Sequence, residues 1–157
     1  MILYLANNRY SENILEQHIN EFNNNDWYNI SYYQVLSEQF IEKYIDKVEW
    51  CVISYRQVLS EQFIEKYKNK INWIDISCYQ VLSEQFIEKY QDKVDWYYVS
   101  RHQKLSEQFI EKYKNKINWS GVSYYQTLSK LFKFKHKDKI EKWKDIKYSS
   151  YMLYSFQ

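Results

Sequence analysis

The chain has 157 residues, of which 45% are hydrophobic and 20% aromatic, and its formal net charge is +2. A chain this apolar is expected to fold, and its near-neutral charge argues against both an acidic nucleic-acid mimic and a generally basic polynucleotide binder. Proline is absent and Gly121 is the single glycine. The chain therefore lacks the residues that β-hairpin turns and glycine-rich phosphate loops require. The composition therefore predicts helices.

The N-terminal residues 1–26 look like a worn copy of the repeat that follows, and we predict that they form a cap. A helix is predicted from Ser11 to Phe22, ended by a run of three asparagines from Asn23. A lone histidine on its apolar side is more often a packed core residue than a ligand. The opening MILYLANNRY indicates no signal peptide, and no stretch is apolar enough for a membrane span. The apolar side of the predicted helix from Ser11 to Phe22 carries Ile14, Leu15, His18, Ile19 and Phe22.

From residue 27 onward the chain is organised around one nine-residue sequence, LSEQFIEKY. It occurs four times with a period of 23 residues, and tryptophans recur at the same step. Such a period is typical of solenoids, in which one unit is too small to fold alone and buries its apolar face against its neighbours. The copies start at Leu36, Leu59, Leu82 and Leu105, and the tryptophans are Trp27, Trp50, Trp73, Trp96 and Trp119.

The repeat predicts an all-α fold, an α-solenoid of tandem short two-helix repeats with capping units at both ends. We predict a single domain over residues 1–157, with the N-terminal cap at 1–26, the repeats at 27–143 and a C-terminal cap at 144–157. In the C-terminal cap, the side chains predicted to cover the open end are Tyr151, Met152, Leu153, Tyr154 and Phe156.

The first helix of each repeat is predicted from LSEQFIEKY itself. In the copy from Leu59 it begins at Ser60, whose hydroxyl can cap the amides of the opening turn. The acids of this helix are predicted to face water. Because Glu38 and Glu42 recur identically in four copies, they do not fit a catalytic pair, which needs one unique desolvated site. The predicted apolar face carries Leu59, Phe63, Ile64 and Tyr67.

The second helix of the repeat is predicted to start near Asn69, or near the matching Asp46, Asp92 and Asn115, and to end between Ser77 and Gln80. An alternative treats Ser77 and Gln80 as a capping box and predicts one longer helix from Cys78 to Tyr90. The side chains predicted to point inward are Ile71, Trp73 and Ile76.

The copies differ mainly in this second helix, in a pair of residues directly after the tryptophan and in a second pair beyond it. With Trp50, Ile53 and Ser54 turned inward, helical geometry places positions 51, 52, 55 and 56 on the outer side. The resulting stripe is rich in tyrosine with arginine and histidine, which carry binding energy at protein interfaces. The predicted partner-binding residues are Tyr28, Tyr32, Tyr33, Tyr55, Arg56, Tyr79, Tyr97, Tyr98, Arg101, His102, Tyr124 and Tyr125.

Drift at unconstrained positions is the alternative explanation of this variation. Against it, the solvent-facing Gln39 and Lys43 are expected to be equally free, yet their types do not vary among the four copies. A binding stripe is therefore favoured over drift.

The motif Ile53-Ser54-Tyr55-x-Gln57-x-Leu59-Ser60-Glu61-x-Phe63-Ile64, followed by Asp/Asn-Lys-Val/Ile-x-Trp, resembles short tandem repeats of proteins from giant viruses of amoebae and of some phage and bacterial proteins. The resemblance covers residues 27–143. It implies a helical-repeat fold and a viral or phage protein that binds and inhibits a host factor, such as a component of a defence system, in the host cytoplasm. It implies no shared biochemical activity and no functional residues.

The C-terminal residues 130–157 carry eight lysines against three acids. They are the one region where a local nucleic-acid contact is the alternative function, with Phe132, Phe134 and Trp143 available for stacking. The earlier ladder at 47, 70, 93 and 116 has an acid near each lysine and is interpreted as a charge-balanced face. The candidate nucleic-acid contacts are Lys130, Lys133, Lys135, Lys137 and Lys139.

No residue set in the sequence indicates catalysis or metal binding. Cys51 and Cys78 lie at different phases of the repeat, which argues against a disulfide and for a reducing compartment. His102 and His136 lack a nearby cysteine or acid at ligand spacing, and no Ser, His and Asp set stands out. We therefore expect a non-enzymatic cytoplasmic protein without cofactor or metal. Its expected partner is a protein rather than a nucleic acid, and no membrane partner is expected.

Overall fold

The computed structural model describes residues 4–6 and 8–140, and all regular structure within these ranges is helical. The predicted all-α fold is confirmed. No helix in the described ranges is both long and apolar enough to cross a membrane. The helices are α1 (Glu12–Gln17), a 3-10 helix (Ile19–Glu21), α2 (Asn24–Tyr33), α3 (Glu38–Lys43), α4 (Trp50–Arg56), α5 (Glu61–Lys66), α6 (Trp73–Tyr79), α7 (Glu84–Lys89), α8 (Trp96–His102), α9 (Glu107–Lys112), α10 (Trp119–Tyr125) and α11 (Lys130–Lys135).

The chain divides into two compact units, Met1–Gln80 and Val81–Gln157. In the first unit α4 packs against both α2 and α6, and in the second α8 packs against α10. Each unit is a stack of two-helix repeats, as in an α-solenoid. The predicted boundaries of the caps and of the array stay predictions, and the C-terminal cap at 144–157 lies outside the described residues.

The helices formed by LSEQFIEKY, namely α3, α5, α7 and α9, are called the A helices below. In α5, Ser60 Oγ accepts a hydrogen bond from Phe63 N at 3.1 Å, so the predicted N-cap is confirmed. Leu59, Phe63 and Ile64 are buried and Tyr67 is half-buried, which confirms the predicted apolar face.

The helices that follow the tryptophans, α4, α6, α8 and α10, together with α2, are called the B helices. The predicted start near Asn69 is wrong, because α6 begins at Trp73 with Asn72 as N-cap; the Asn72 side chain accepts from the amides of Ile74 and Asp75. Residues 67–71 instead form a turn in which Tyr67 O accepts from Lys70 N and Ile71 N. α4, α8 and α10 likewise begin at their tryptophans.

The alternative of one longer helix from Cys78 to Tyr90 is also wrong. Residues 80–83 are not helical, and α7 begins only at Glu84. Ser77 does not cap a helix, because it lies inside α6 and its Oγ donates to Trp73 O at 2.7 Å.

The N-terminal helix is shorter than predicted. α1 ends at Gln17, and a 3-10 helix follows it where Ser11 to Phe22 was predicted to be one helix. His18 is half-buried rather than fully packed in the core, with Nδ1 2.9 Å from Glu21 Oε1. Asn23 does not end a helix; it starts α2 through a capping box with Asp26.

Within each unit, a glutamine at the end of a B helix joins successive repeats. Gln57 Nε2 donates to Ser31 O and Gln34 O, both at 2.9 Å. Its Oε1 accepts from Leu36 N at 3.0 Å. The turn between a B helix and the next A helix is therefore held by the glutamine of the following repeat. The same pattern recurs at Gln80, on Ser54, Gln57 and Leu59, and at Gln126, on Ser100, Gln103 and Leu105.

Candidate functional site

In the first unit, the stripe predicted from repeat variation forms a row of tyrosine rings along α2, α4 and α6. The ring centroids of Tyr28 and Tyr32 lie 6.0 Å apart, those of Tyr32 and Tyr55 6.0 Å, and those of Tyr55 and Tyr79 5.9 Å. Tyr33 joins the row through Tyr32, at 4.6 Å. Successive B helices thus bring together five predicted residues, which we call the tyrosine row.

Arg56 lies on the tyrosine row. Its Cζ is 4.5 Å from the Tyr32 ring centroid, a cation–π distance, and its Nε donates to Tyr32 O at 3.2 Å. Within the described part of the chain Arg56 makes no ion pair. Its guanidinium is held in place without a counter-charge.

In the second unit, the guanidinium of Arg101 lies between two tyrosine rings. Its Cζ is 4.8 Å from the Tyr97 centroid and 4.7 Å from that of Tyr125, and its Nη2 donates to Tyr125 Oη at 2.9 Å. The His102 ring is 6.0 Å from the ring of Tyr98 and 6.4 Å from that of Tyr125. These five residues form what we call the arginine cluster.

Most of the predicted stripe is accessible. Tyr79 is 60% exposed, Tyr125 55% and Tyr124 40%. The tyrosine rings therefore present a surface as well as pack on each other. Also exposed are Tyr28, Tyr33, Arg56, Tyr97 and His102, while Tyr32, Tyr55, Tyr98 and Arg101 are half-buried.

One of the four predicted outer positions is wrong. Val52 is only 2% exposed, and the matching Gly121 is buried as well. A Cβ at Gly121 would lie 2.8 Å from Arg101 Cγ, which shows that this position faces the preceding B helix. Because α4 packs against both α2 and α6, fewer of its side chains face outward than in a helix packed on one side only.

Burial raises the pKa of two groups at stripe positions. The pKa of Tyr55 is raised, first by burial and then by the neighbouring Tyr28 and Tyr32. Burial also raises the pKa of Asp75. Asp75 holds the position matching Tyr98, so an acid at that position is partly withdrawn from water.

The recurring charges of the A helices connect repeats. Glu38 Oε1 accepts from Ser60 N at 2.6 Å, and Glu42 Oε1 pairs with Lys66 Nζ at 2.7 Å. Lys43 is not free as predicted, because its Nζ pairs with Glu16 at 2.7 Å. These contacts explain why the charged positions recur unchanged, and they place the carboxylates in inter-repeat links rather than in a catalytic pair.

The lysine ladder also lies among acids and tryptophans. Lys70 Nζ is 3.7 Å from Asp46 and 6.0 Å from the Trp50 ring centroid. Lys116 Nζ is 3.0 Å from Asp92 and 5.9 Å from the Trp96 centroid. At these two rungs the predicted charge balance is confirmed.

The basic C-terminal region is only partly accessible for a nucleic acid. Lys135 pairs with Glu111 at 3.1 Å, and Lys139 Nζ lies 5.0 Å from the Trp119 centroid. Lys130 and Lys133 are exposed and make no ion pair in the described ranges. Lys137 is exposed too, and Phe134 is 79% exposed. Phe132 is buried, so its predicted stacking role is wrong, and Trp143 lies outside the described residues.

Glu111 is the centre of a small charge network at this end. It accepts from His136 Nε2 at 2.8 Å, and Lys135 and Lys114 lie within ion-pair distance. The hydrogen bond from Lys135, followed by that from His136, lowers the pKa of Glu111 to about 2. His136 also packs on Trp119, with centroids 4.9 Å apart, so it is a structural residue.

Among residues 4–6 and 8–140, no group of three or more His, Cys, Asp or Glu is arranged to hold a metal ion. Neither Cys51 nor Cys78 forms a disulfide within the described ranges. Neither feature points to a catalytic centre.

Sequence reasoning missed two features that shape this surface. The first is the set of glutamines that join repeats, whose signal was one glutamine kept in five copies directly after an otherwise variable helix. The second is Gly121, whose signal was the chain's single glycine standing at a stripe position. It leaves room for Arg101 to lie between Tyr97 and Tyr125.

Comparison with protein-family models, with curated proteins and with solved structures gives no match, so the surface is interpreted from its own geometry.

Proposed function

We propose that this chain is a non-enzymatic protein-binding repeat protein, and that its binding face is the outer side of the B helices. The observation that carries the proposal is the run of exposed tyrosines at positions that vary among repeats, set on a scaffold that does not vary. Tyrosine supplies large amphipathic contact area with only two side-chain torsions to immobilise. Ring contacts between repeats further restrict those torsions before any partner binds.

The repeat motif supports a more specific role. Since the motif resembles repeats of giant-virus, phage and bacterial proteins, the proposed role is that of a viral or phage protein that inhibits a host factor, such as a defence-system component, in the host cytoplasm. In such a role binding alone would suffice, because occupying a partner's surface can inhibit it.

A swap within the second unit tests the binding face. Tyr97, Arg101 and His102 are replaced together by Ile, Cys and Tyr, the residues at the matching positions of the preceding copy. Tyr98 is kept, because the matching Asp75 is partly buried and would add a desolvated carboxylate. We expect the swap to abolish partner capture from host-cell lysate and to leave the melting temperature near that of the parent, since loss of a central anchor costs about 2 kcal/mol or more of binding.

Gln108→Ala provides the matched control, because it removes an exposed side chain of an A helix that recurs unchanged in four copies. It should capture the same proteins as the parent. If the swapped protein also retained them all, the stripe would not be the binding face.

A nucleic acid is the second candidate partner, favoured by one observation. Lys130 and Lys133 have no acidic partner in the described ranges, and Phe134 is exposed beside them. A phosphate-tracking site there would bind single- or double-stranded polynucleotide with an affinity that falls steeply with salt. We expect no binding at physiological ionic strength, as measured by fluorescence anisotropy; a submicromolar, salt-dependent complex lost in Lys130→Gln/Lys133→Gln would favour this second function.

A further inference from the structure

Arginine is rare in this chain and is concentrated on the stripe. The sequence contains 19 lysines and three arginines, and two of those three, Arg56 and Arg101, are stripe residues. The lysines of the A helices have carboxylate partners, for example Lys66 with Glu42 and Lys112 with Glu88. The two stripe arginines instead lie on tyrosine rings and make no ion pair within the described residues.

Arg101 is held in one orientation while most of its donors remain unused. A guanidinium has five N–H donors in a planar fork. Among residues 4–6 and 8–140, Arg101 donates one hydrogen bond, to Tyr125 Oη. The rings of Tyr97 and Tyr125 on either side fix its plane, which reduces the entropy lost when the fork binds a planar anion.

Neither α8 nor α10 contains an acidic residue. Lys104 follows α8, is exposed and makes no ion pair within the described ranges. Arg101 and Lys104 therefore contribute positive charge that no acidic side chain within α8 or α10 compensates.

We propose that the arginine cluster, Tyr97, Tyr98, Arg101, His102 and Tyr125, binds an aspartate or glutamate carboxylate on an acidic segment of a protein partner. The carboxylate would receive paired hydrogen bonds from the Arg101 fork, in the planar arrangement that arginine and carboxylates favour. This inference rests on the proposed protein-binding function and adds the charge of the partner. Arg56 on Tyr32 is the matching cation of the first unit.

A carboxylate suits this surface better than a nucleic-acid backbone does. A polynucleotide presents a phosphate at every nucleotide and is bound by several regularly spaced cations. Arg101 is the single arginine or lysine of α8 and α10, two helices that together carry four tyrosines. One anchored cation within an aromatic surface fits one buried carboxylate at the centre of a protein interface.

The test is a titration of the full chain, labelled with nitrogen-15, with a blocked hexapeptide of glutamate. Because the chain has three arginines, their side-chain Nε–H signals can be assigned by substitution. We expect the Arg101 signal to shift in a saturable way with the glutamate peptide and not with the matching glutamine peptide. Arg101→Lys keeps the charge but removes the fork, and should weaken peptide binding about tenfold.

Two further variants keep the test informative. Tyr125→Phe retains the ring but removes the hydrogen bond to Arg101, and should weaken peptide binding about twofold to threefold. Arg9→Lys changes an exposed arginine outside the stripe and should leave the binding unchanged. Equal affinity of the parent and Arg101→Lys would overturn the carboxylate site, as would binding of the glutamine peptide as tight as that of the glutamate peptide.

A phosphoserine peptide forms the third arm. If it bound more than about tenfold tighter than the glutamate peptide, the ligand would be a phosphate and the inference would be wrong. Absence of peptide binding together with stripe-dependent capture from lysate would overturn this inference alone. Peptide binding at Arg101 together with capture that is indifferent to the stripe swap would overturn the proposed function instead.

Discussion

The A helices and the B helices are both partly exposed, yet one set recurs unchanged and the other varies. Exposed charges of the A helices, such as Glu38 and Lys66, bind residues of the neighbouring repeat. In the B helices the residues that bind across repeats, Ser54 and Gln57, are kept as well, and variation is found around them. At these positions recurrence therefore accompanies hydrogen bonds and ion pairs between repeats and does not require burial.

The largest loss of stability is expected from a substitution at the start of a B helix. Trp96 lies 5.0 Å from the Tyr113 centroid, and its indole Nε1 donates to Gln91 O at 2.9 Å. We expect Trp96→Ala to lower the free energy of unfolding by about 3 kcal/mol, at the lower end for large core truncations because Trp96 is half-exposed. Chemical denaturation measures the loss. Tyr97→Ala is the control at the next residue and should remain within about 0.5 kcal/mol of the parent.

A smaller loss is expected at the kept glutamines. Gln57→Ala removes the partners of Leu36 N, Ser31 O and Gln34 O, all in a buried setting. Leaving such groups unsatisfied should cost about 2 kcal/mol in the free energy of unfolding. Gln62→Ala, in the exposed part of α5, is the matched control and should cost almost nothing. Equal losses in the two variants would show that the buried hydrogen bonds do not hold the repeats together.

The charge network at Glu111 predicts a dependence of stability on pH. Because hydrogen bonds from Lys135 and His136 lower its pKa from the ordinary 4.5 to about 2, the ionised carboxylate favours the folded state. Its contribution is complete above the ordinary pKa and is lost as the pH falls from about 4.5 to about 2. The melting temperature of the parent should therefore fall more steeply across this range than that of Glu111→Gln. Asp138→Asn, which changes another exposed acid, should follow the parent.

The smallest change is expected from a single exposed ion pair between repeats. Lys66→Met removes the pair with Glu42 but retains a long side chain beside Tyr67. Surface pairs contribute little, since water and salt screen them. The variant should melt slightly below the parent in low salt and together with it in high salt. A large loss that persisted in high salt would instead mean that Lys66 stabilises the fold through packing rather than through its charge.

The period, the helical class, the serine caps and the apolar face of the A helices could all be predicted, because each depends on residues close together in sequence. The start of the B helix could not. Asn69 and Asn72 are equally good capping types, and the choice of Asn72 is fixed from the preceding repeat, where Ser54 Oγ accepts from Asn72 N at 2.9 Å. Because this contact joins two repeats, sequence patterns within one repeat do not predict it.

Only part of the candidate surface could be predicted, because helical periodicity does not include contacts with neighbouring repeats. Helical periodicity placed Tyr55, Arg56 and Tyr79 outside, where the structure has them exposed or half-buried. It also placed Val52 outside, which is wrong because α4 has neighbours on both sides. The orientation of Arg101 between two rings depends on Tyr125, in the next repeat, and no pattern within α8 predicts it.

The hydrogen bonds of these glutamines imply an order in which the repeats fold during synthesis. The amide of Leu36 and the carbonyls of Ser31 and Gln34 find their partner only in Gln57, more than 20 residues later in the chain. On a ribosome, where the N terminus emerges first, each turn would stay incomplete until the next repeat had left the exit tunnel. Folding during translation should then advance in steps of one repeat, each newly emerged glutamine completing the turn made before it.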